Sequence, residues 1–440
     1  MFAYYLRLAI KSIRRNAVMS LLMVSAIGIG IGACMTVITV YYTMSGDPIP
    51  HKSDKLFAVQ LNAWDAIDPY DSDFPGRMPE LLTYTDAINL LESDIPDRSV
   101  AMHESGFTLD PANPDVNPML AIGLFTTANF FAMFDVPFLY GGPWDARADA
   151  AAGRVAVINF ETNEEVFGGE DSVGMTITLD NRELTIVGVL NRWEPVPRFY
   201  SAVNSSFGET NDVFIPLKVN ESWQKQNFGN TWCWGDAPMN SFEDFLNSEC
   251  AWMEFWAELS TTDQKAQYES YLSGYVAGQR KLGRFPVAED VVTIKDVNEW
   301  LEYNEVVSAD FRVLVGLGFM FLVVCLLNTV ALLLAKFSGD APRIGLRRAM
   351  GASKAMIFAQ NLVEVGIIGL MGGVLGLVLA WLGLQGVKAI NLGRYDQLVT
   401  LDAKLVGFAL LVSLAASLVA GIYPTWRICQ VAPAVYLKTQ

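Results

Sequence analysis

Four apolar runs, at 17–42, 313–335, 355–384 and 405–423, interrupt an otherwise mixed chain. Each could form a membrane-crossing helix, which needs about 20 predominantly apolar residues. The first and fourth runs carry no charge, the second has only Asn328 and Thr329 as polar breaks, and the third holds one acid, Glu364. A carboxylate facing lipid would cost on the order of 3 kcal/mol, so Glu364 is expected to face protein or the interface. A proton relay there has no second intramembrane acid or histidine to pass to. Ahead of the first run, Phe2, Tyr5, Leu6, Ala9, Ile10 and Ile13 recur at helical spacing, with Arg7, Lys11 and Arg14 on another side. This predicts a helix over 1–16 lying in the cytoplasmic interface. The first run is about twice the length of a signal-peptide core and no small-x-small site closes it, so cleavage is not expected.

Between the first two runs the pattern becomes shorter and mixed, as in an α+β domain. Strands are expected at 56–61, 120–125, 155–159, 175–179, 184–190, 212–217, 255–260 and 291–295, with a hairpin turn at Asp180-Asn181. Helices are expected at 79–91, 127–134 and 263–282. The stretches 193–208 and 227–240, rich in Pro, Gly, Asn and aromatics, read as long surface loops. From Val297 no Pro or Gly intervenes before Gly316, which predicts one continuous helix over 297–337. At about 1.5 Å per residue it would be about 60 Å long, a stalk leading into the second span. Pro342 suits the first turn of a separate short helix and Gly351 its end, giving an elbow between the second and third spans.

Charge orients the chain. Eleven basic residues, among them Arg7, Lys11, Arg14, Arg15, Lys336 and Lys354, flank the runs on one side against Asp340 alone, so those pieces are cytoplasmic by the positive-inside rule. The segment 47–310 holds 43 acids and 16 bases and lies outside. The resulting order is an interfacial helix (1–16), first span (17–46), outer domain (47–296), stalk with second span (297–337), elbow (338–354), third span (355–384), outer loop (385–404), fourth span (405–424) and cytoplasmic tail (425–440). Gly28 and Gly32 are four apart in the first span, as are Gly369 with Gly373 and Gly372 with Gly376 in the third. That spacing permits close helix contact.

Candidate chemistry is sparse. The chain has no GxxxxGK[ST] phosphate loop, so nucleotide is expected to be handled by another polypeptide. His51 and His103 are the two histidines and neither has metal-ligand spacing, so a histidine-ligated catalytic metal is not expected; no metal site and no cofactor are assigned to this chain. No GxSxG or Cys-His pairing points to a nucleophile, and the chain is not expected to be an enzyme. Cys233 and Cys250, seventeen residues apart in the outer segment, are either a disulfide stabilising a Trp-rich loop by about 3 kcal/mol or two buried thiols. Arg343, Arg347 and Arg348 form a basic face on the elbow that could hold lipid headgroups or a protein partner.

The stretch DAPRIGLRRAMGASKAMIFAQNLVEVGIIGLMGGVLG resembles the FtsX-type permease segment, commonly REIGLRRALGAS followed by an apolar stretch with a Glu and then LGG. GIYPTWR followed by Ala432-Pro433-Ala434 is similar to that family's C-terminal GLYPAWRA...P. FTTANFFAMFDVPFLYGGPW and VAVINFETNEEVFGGEDSVGMTITLDNRELTIVGVL are similar to the periplasmic core of MacB-like permeases. The resemblance implies a type VII ABC transporter permease of the bacterial inner membrane, working by mechanotransmission. Its fold would be four transmembrane helices with a large periplasmic α+β domain, porter-like over about 47–135 and 245–296 and sabre-like over about 136–244. Implied partners are an ABC ATPase subunit that binds ATP and Mg, a second permease chain, the same or a sister, membrane lipid, and a periplasmic adaptor with an outer-membrane channel, with no nucleic acid. Arg343, Gly345, Leu346, Arg347, Arg348, Met350 and Gly351 match the family's elbow and would contact the ATPase subunit; Ala341-Pro342 stand where the family has Arg-Glu. The leading activity the resemblance implies is efflux through that adaptor and channel, with LolC-like lipoprotein extraction, or FtsX-like or sensor-linked signalling to cell-wall enzymes without transport, as the alternatives.

Overall fold

The computed structural model describes residues 2–65, 67, 69–74, 76–111, 117–234, 239–287, 291–390 and 403–430. The outer loop between the third and fourth spans and the Ala432-Pro433-Ala434 motif lie largely or wholly outside them. Two compact units are present, one of residues Met1–Ser45 with Val307–Gln440, the other Gly46–Val306. The chain begins with α1 (Phe2–Arg15) and α2 (Ala17–Met44), both in the first unit.

The second unit is built on β1 (Leu56–Leu61), β2 (Leu82–Thr83), β3 (Arg98–Asp110), β4 (Met119–Thr126), β5 (Phe138–Gly141), β6 (Val155–Ile158), β7 (Thr176–Leu179), β8 (Arg182–Leu190), β9 (Val213–Pro216), β10 (Trp232–Cys233), β11 (Cys250–Glu258) and β12 (Val292–Asp296). The sheet order is β12-β1-β11-β3-β4-β9-β6-β8-β5, with β2 and β10 beside β11 and β7 beside β3 and β8. Strand β3 is the hinge of this arrangement. Its residues 98–102 pair with β11 and residues 103–109 pair with β4. The division into porter-like and sabre-like parts therefore crosses a continuous sheet, where Gly123 to Thr126 of β4 pair in parallel with β9.

Strand β3 is not evident in the sequence because His103, Glu104 and Ser105 interrupt its apolar alternation. All three are buried. Glu104 meets Arg198 at 2.9 Å, and the His103 ring stacks on Phe125 with its edge to Trp252. A second departure follows from the first. Residues 193–208 are not a surface loop: Phe199, Tyr200 and Ser201 form a buried 3-10 turn, and Tyr200 packs against Phe130, Phe134 and Trp193. The Pro, Gly and aromatic content that suggests a loop here supplies core rings instead.

Both faces of β11 are covered, and all nine of its residues are buried. On one side lie Tyr268, Leu272 and Val276, four apart along a helix, with Tyr271 and Tyr275 half-buried beside them. On the other, Trp256 joins the Phe130, Phe134 and Tyr200 cluster. Tyr84–Leu90 forms α3, the helix carrying Tyr268 is α4 (Thr262–Arg280), and Val297–Tyr303 forms α5. Asp296 caps α5 reciprocally with Glu299.

The continuous stalk helix expected over 297–337 is not what forms. Helix α5 stops at Tyr303 and a new helix, α6 (Ala309–Ala349), begins six residues later. The stop is a two-bond cap: Val306 N–H donates to Leu301 O and Glu305 N–H to Glu302 O, with Glu305 in the left-handed region at φ 49°. That conformation costs a non-glycine residue about 1 kcal/mol, so a Glu there gives no sequence warning. The elbow departs the other way. Pro342 lies inside α6 rather than at the start of a separate helix, so span and elbow are one 41-residue element.

The first unit is completed by α7 (Lys354–Ile390) and α8 (Ala403–Cys429). Helices α2, α6, α7 and α8 are each long and apolar enough to cross a membrane. Their outer faces expose large apolar side chains such as Val18, Met320, Leu327, Val374, Leu411 and Val419, as lipid contact requires.

Candidate coupling site

The C-terminal end of α6 stops at a glycine for a backbone reason. Gly351 has φ 101°, and Gly351 N–H donates to Arg348 O while Ala352 N–H donates to Arg347 O. Only glycine holds that conformation without strain. Ser353 then accepts a hydrogen bond from Met356 N–H and opens α7. The turn between two long helices is thus confined to a few residues.

The sequence-matched elbow residues separate by face. Arg343, Leu346, Met350 and Gly351 are exposed, while Gly345 is buried and Arg347 and Arg348 are half-buried. Leu346 and Met350, four apart, expose 52% and 72% of their surface, an apolar stripe next to Arg343. Arg347 instead donates to Gln360 Oε1 at 2.5 Å and Arg348 to the Cys429 carbonyl at 3.4 Å. These two guanidiniums hold α6 against α7 and α8.

Behind the stripe lies an ion-pair network. Lys336 Nζ is 2.5 Å from Glu364 Oε1, with side-chain exposures of 1% and 3%. Ser20 receives a hydrogen bond from Lys336 at 3.1 Å, and Ser12 donates to Glu364 at 2.8 Å. Asp340 meets Arg15 at 2.6 Å and Arg343 at 3.2 Å. Helices α1, α2, α6 and α7 are therefore tied together by charge at one level. Glu364 faces protein, and its partner is a lysine from the neighbouring span. Sequence reading misses Lys336 as that partner because it stands at the end of an apolar run and counts as a loop charge. The available signal is that an acid inside one span and a base inside the margin of another each need a mate.

Small residues set the spacing of the helices. A methyl built on Gly28 would lie 2.8 Å from Leu375 Cδ2, on Gly32 2.7 Å from Leu379 Cβ, and on Gly372 and Gly376 2.6 and 2.7 Å from Cγ2 of Ile27 and Ile31. Helices α2 and α7 interlock through these four positions. Gly369 and Gly373 admit Ser417 and Ser413 of α8 in the same way, and Ser413 Oγ donates to Gly369 O at 2.5 Å.

In the other unit Cys233 and Cys250 sit opposite each other on β10 and β11 and form a disulfide. His103 is enclosed: Asn220 Nδ2 donates to its Nε2 at 3.2 Å and its Nδ1–H donates to Glu104 O at 3.2 Å. Burial pushes this imidazole down to about 3, against the opposing hydrogen bond to Glu104. His51 is elsewhere, 2.7 Å from Asp135. Among the described residues no group of three or more His, Cys, Asp or Glu side chains could hold a metal ion.

The family description "MacB-like periplasmic core domain" matches residues 20–268, and "FtsX-like permease C-terminal" matches residues 315–433. The macrolide export ATP-binding/permease protein MacB of Syntrophobacter fumaroxidans is 21% identical over 71% of this chain and 46% of its own length. The protein of the same name from Burkholderia thailandensis is 23% identical over 78% of this chain and 47% of its own. The chain thus spans about half the length of these relatives. An uncharacterized ABC transporter permease protein of Mycobacterium tuberculosis is 28% identical over 27% of this chain and 14% of its own length. Among solved structures, the periplasmic region of MacB from Actinobacillus actinomycetemcomitans covers 57% of this chain and 92% of its own at 10% identity, with a TM-score of 0.36.

Proposed function

Because the chain belongs to the family of ABC transporter permeases that join a MacB-like periplasmic core domain to an FtsX-like permease C-terminal domain, we propose that it converts an ATPase cycle into movement of an extracytoplasmic domain. The ATPase lies outside these 440 residues and docks on the stripe of Arg343, Leu346 and Met350. The observation that carries this reading is the pairing of an exposed apolar stripe with a pinned back. Leu346 and Met350 stand uncovered on a helix end whose other face is fixed to α1, α7 and α8. A force applied there is transmitted to the spans rather than absorbed by a loose loop.

The work is efflux from the periplasm of a bacterial inner-membrane system, through an adaptor and outer-membrane duct, with a second permease chain completing the pump. The export named in the two MacB relatives supports this choice over lipoprotein extraction or signalling. Co-purification from the native host tests it. A periplasmic adaptor supports efflux, whereas a lipoprotein carrier or a cell-wall hydrolase in its place replaces it. The long-rod mechanism expected from 297–337 needs amending, because movement must pass the non-helical residues 304–308.

A further inference from the structure

A cleft of about 140 Å³ lies between α1, α6 and α7 and shares only Arg343 with the docking stripe. Its wall carries four basic side chains, Lys11, Arg15, Arg343 and Arg347, against two acids, Asp340 and Glu364. Both acids are already spent, Asp340 on Arg15 and Arg343, and Glu364 on Lys336 and Ser12. The bases are not. Lys11 makes no hydrogen bond or ion pair among the described residues. A guanidinium has five N–H donors, and Arg347 is engaged through one, to Gln360.

Asn361 supplies the independent observation. It lines the cleft, is only 6% exposed, and its Nδ2 has no acceptor. A buried amide donor left unmade costs about 1–3 kcal/mol, so an acceptor is called for at this place. Excess positive charge and an orphan donor together select an anion with several acceptor oxygens, the chemistry of a phosphate group. Position narrows the source. Helix α1 is the amphipathic element ahead of the first span, so the cleft opens at the depth where lipid headgroups lie.

We propose that this cleft binds a phosphate oxyanion, carried by an anionic lipid headgroup or present as free phosphate. Bound there, the phosphate joins Lys11 of α1, Arg343 and Arg347 of α6 and Asn361 of α7. The proposal does not rest on the docking of an ATPase, since the chain alone contains every residue it uses.

The test uses the full chain in dodecylmaltoside, titrated with phosphatidylglycerol in mixed micelles, with retained lipid counted by native mass spectrometry. Inorganic phosphate is added as a competitor in a parallel series. Asn361→Leu removes the buried donor, Lys11→Ala removes a solvent-facing charge without disturbing packing, and Arg14→Ala removes an equal charge from the same helix outside the cleft. Phosphatidylglycerol should be retained by the parent chain and bound about tenfold more weakly by N361L and K11A, while R14A stays within about twofold. If inorganic phosphate binds with the same dependence on Lys11 and Asn361 and lipid does not, the site serves the free ion and the phosphate assignment stands. Equal losses in K11A and R14A would mean diffuse charge attraction and would overturn the proposal, as would no retention of either ligand. Should N361L fail to fold, the K11A and R14A comparison decides alone.

Discussion

Lys336 Nζ and Glu364 Oε1 lie 2.5 Å apart between α6 and α7, both side chains almost wholly removed from solvent. Removing one partner of such a pair strands a buried charge, at about 3–5 kcal/mol, whereas replacing both with apolar groups of similar size is often near neutral. Lys336→Met or Glu364→Leu alone should therefore sharply lower thermal stability in detergent, and the double variant should recover most of the loss. Additive losses in the cycle would mean the two side chains act separately.

Gly376 and Gly407 make a matched pair of substitutions. A methyl on Gly376 meets Ile31 Cγ2 at 2.7 Å, whereas one on Gly407 meets nothing within 4 Å. Overpacking typically costs about 1–3 kcal/mol, while Gly to Ala in an open helix position gains up to about 1 kcal/mol. Gly376→Ala should lower the melting temperature and Gly407→Ala leave it unchanged or slightly raised. The reverse order would place the α2–α7 seam elsewhere.

The disulfide between Cys233 and Cys250 closes a loop of 17 residues. Its loss should cost about 3 kcal/mol by chain entropy. Cys233→Ser with Cys250→Ser should shift denaturant unfolding by that order, and the parent chain should change mobility on reduction. Identical mobility with and without reductant, in protein exported in its native host, would count against the bridge.

Burial holds the His103 imidazole down to about 3, so the folded chain refuses a proton that the unfolded chain accepts near pH 6.5. The stability contributed by this site is complete above pH 6.5 and declines as pH falls toward 3. In nitrogen-labelled full-length chain, the His103 ring should remain neutral with its proton on Nδ1 at pH 5. A titration centred near 6.5 for that ring would contradict its enclosure by Phe125, Trp252 and Asn220.

What the sequence discloses here is the part governed by solvent. Four apolar runs, the basic flanks and the strands β1, β4 and β8 follow from burial and alternation along a single segment. What it hides depends on partners distant in the chain. Strand β3 carries His103 and Glu104 inward because Asn220 and Arg198 wait for them. Likewise Lys336 enters the helix bundle because Glu364 and Ser20 receive it, and Pro342 is tolerated within α6 although its ring usually starts a helix. The break after Tyr303 is hidden for a third reason, since a left-handed Glu305 does the work normally assigned to glycine. At the elbow, motif matching finds the segment but not its faces: of the matched residues, Gly345 is buried and Arg347 and Arg348 serve packing.

The proposed docking of a nucleotide-driven partner on Leu346 and Met350 rests on their exposure at the end of α6. The most direct measurement is ATPase co-purification and turnover for the parent chain and for Leu346→Asp with Met350→Asp, both solvent-exposed changes that leave the Lys336–Glu364 network intact. An ABC ATPase should accompany the parent chain, and the double variant should insert normally but lose association at least about tenfold. Unchanged association and turnover in the double variant would contradict that docking.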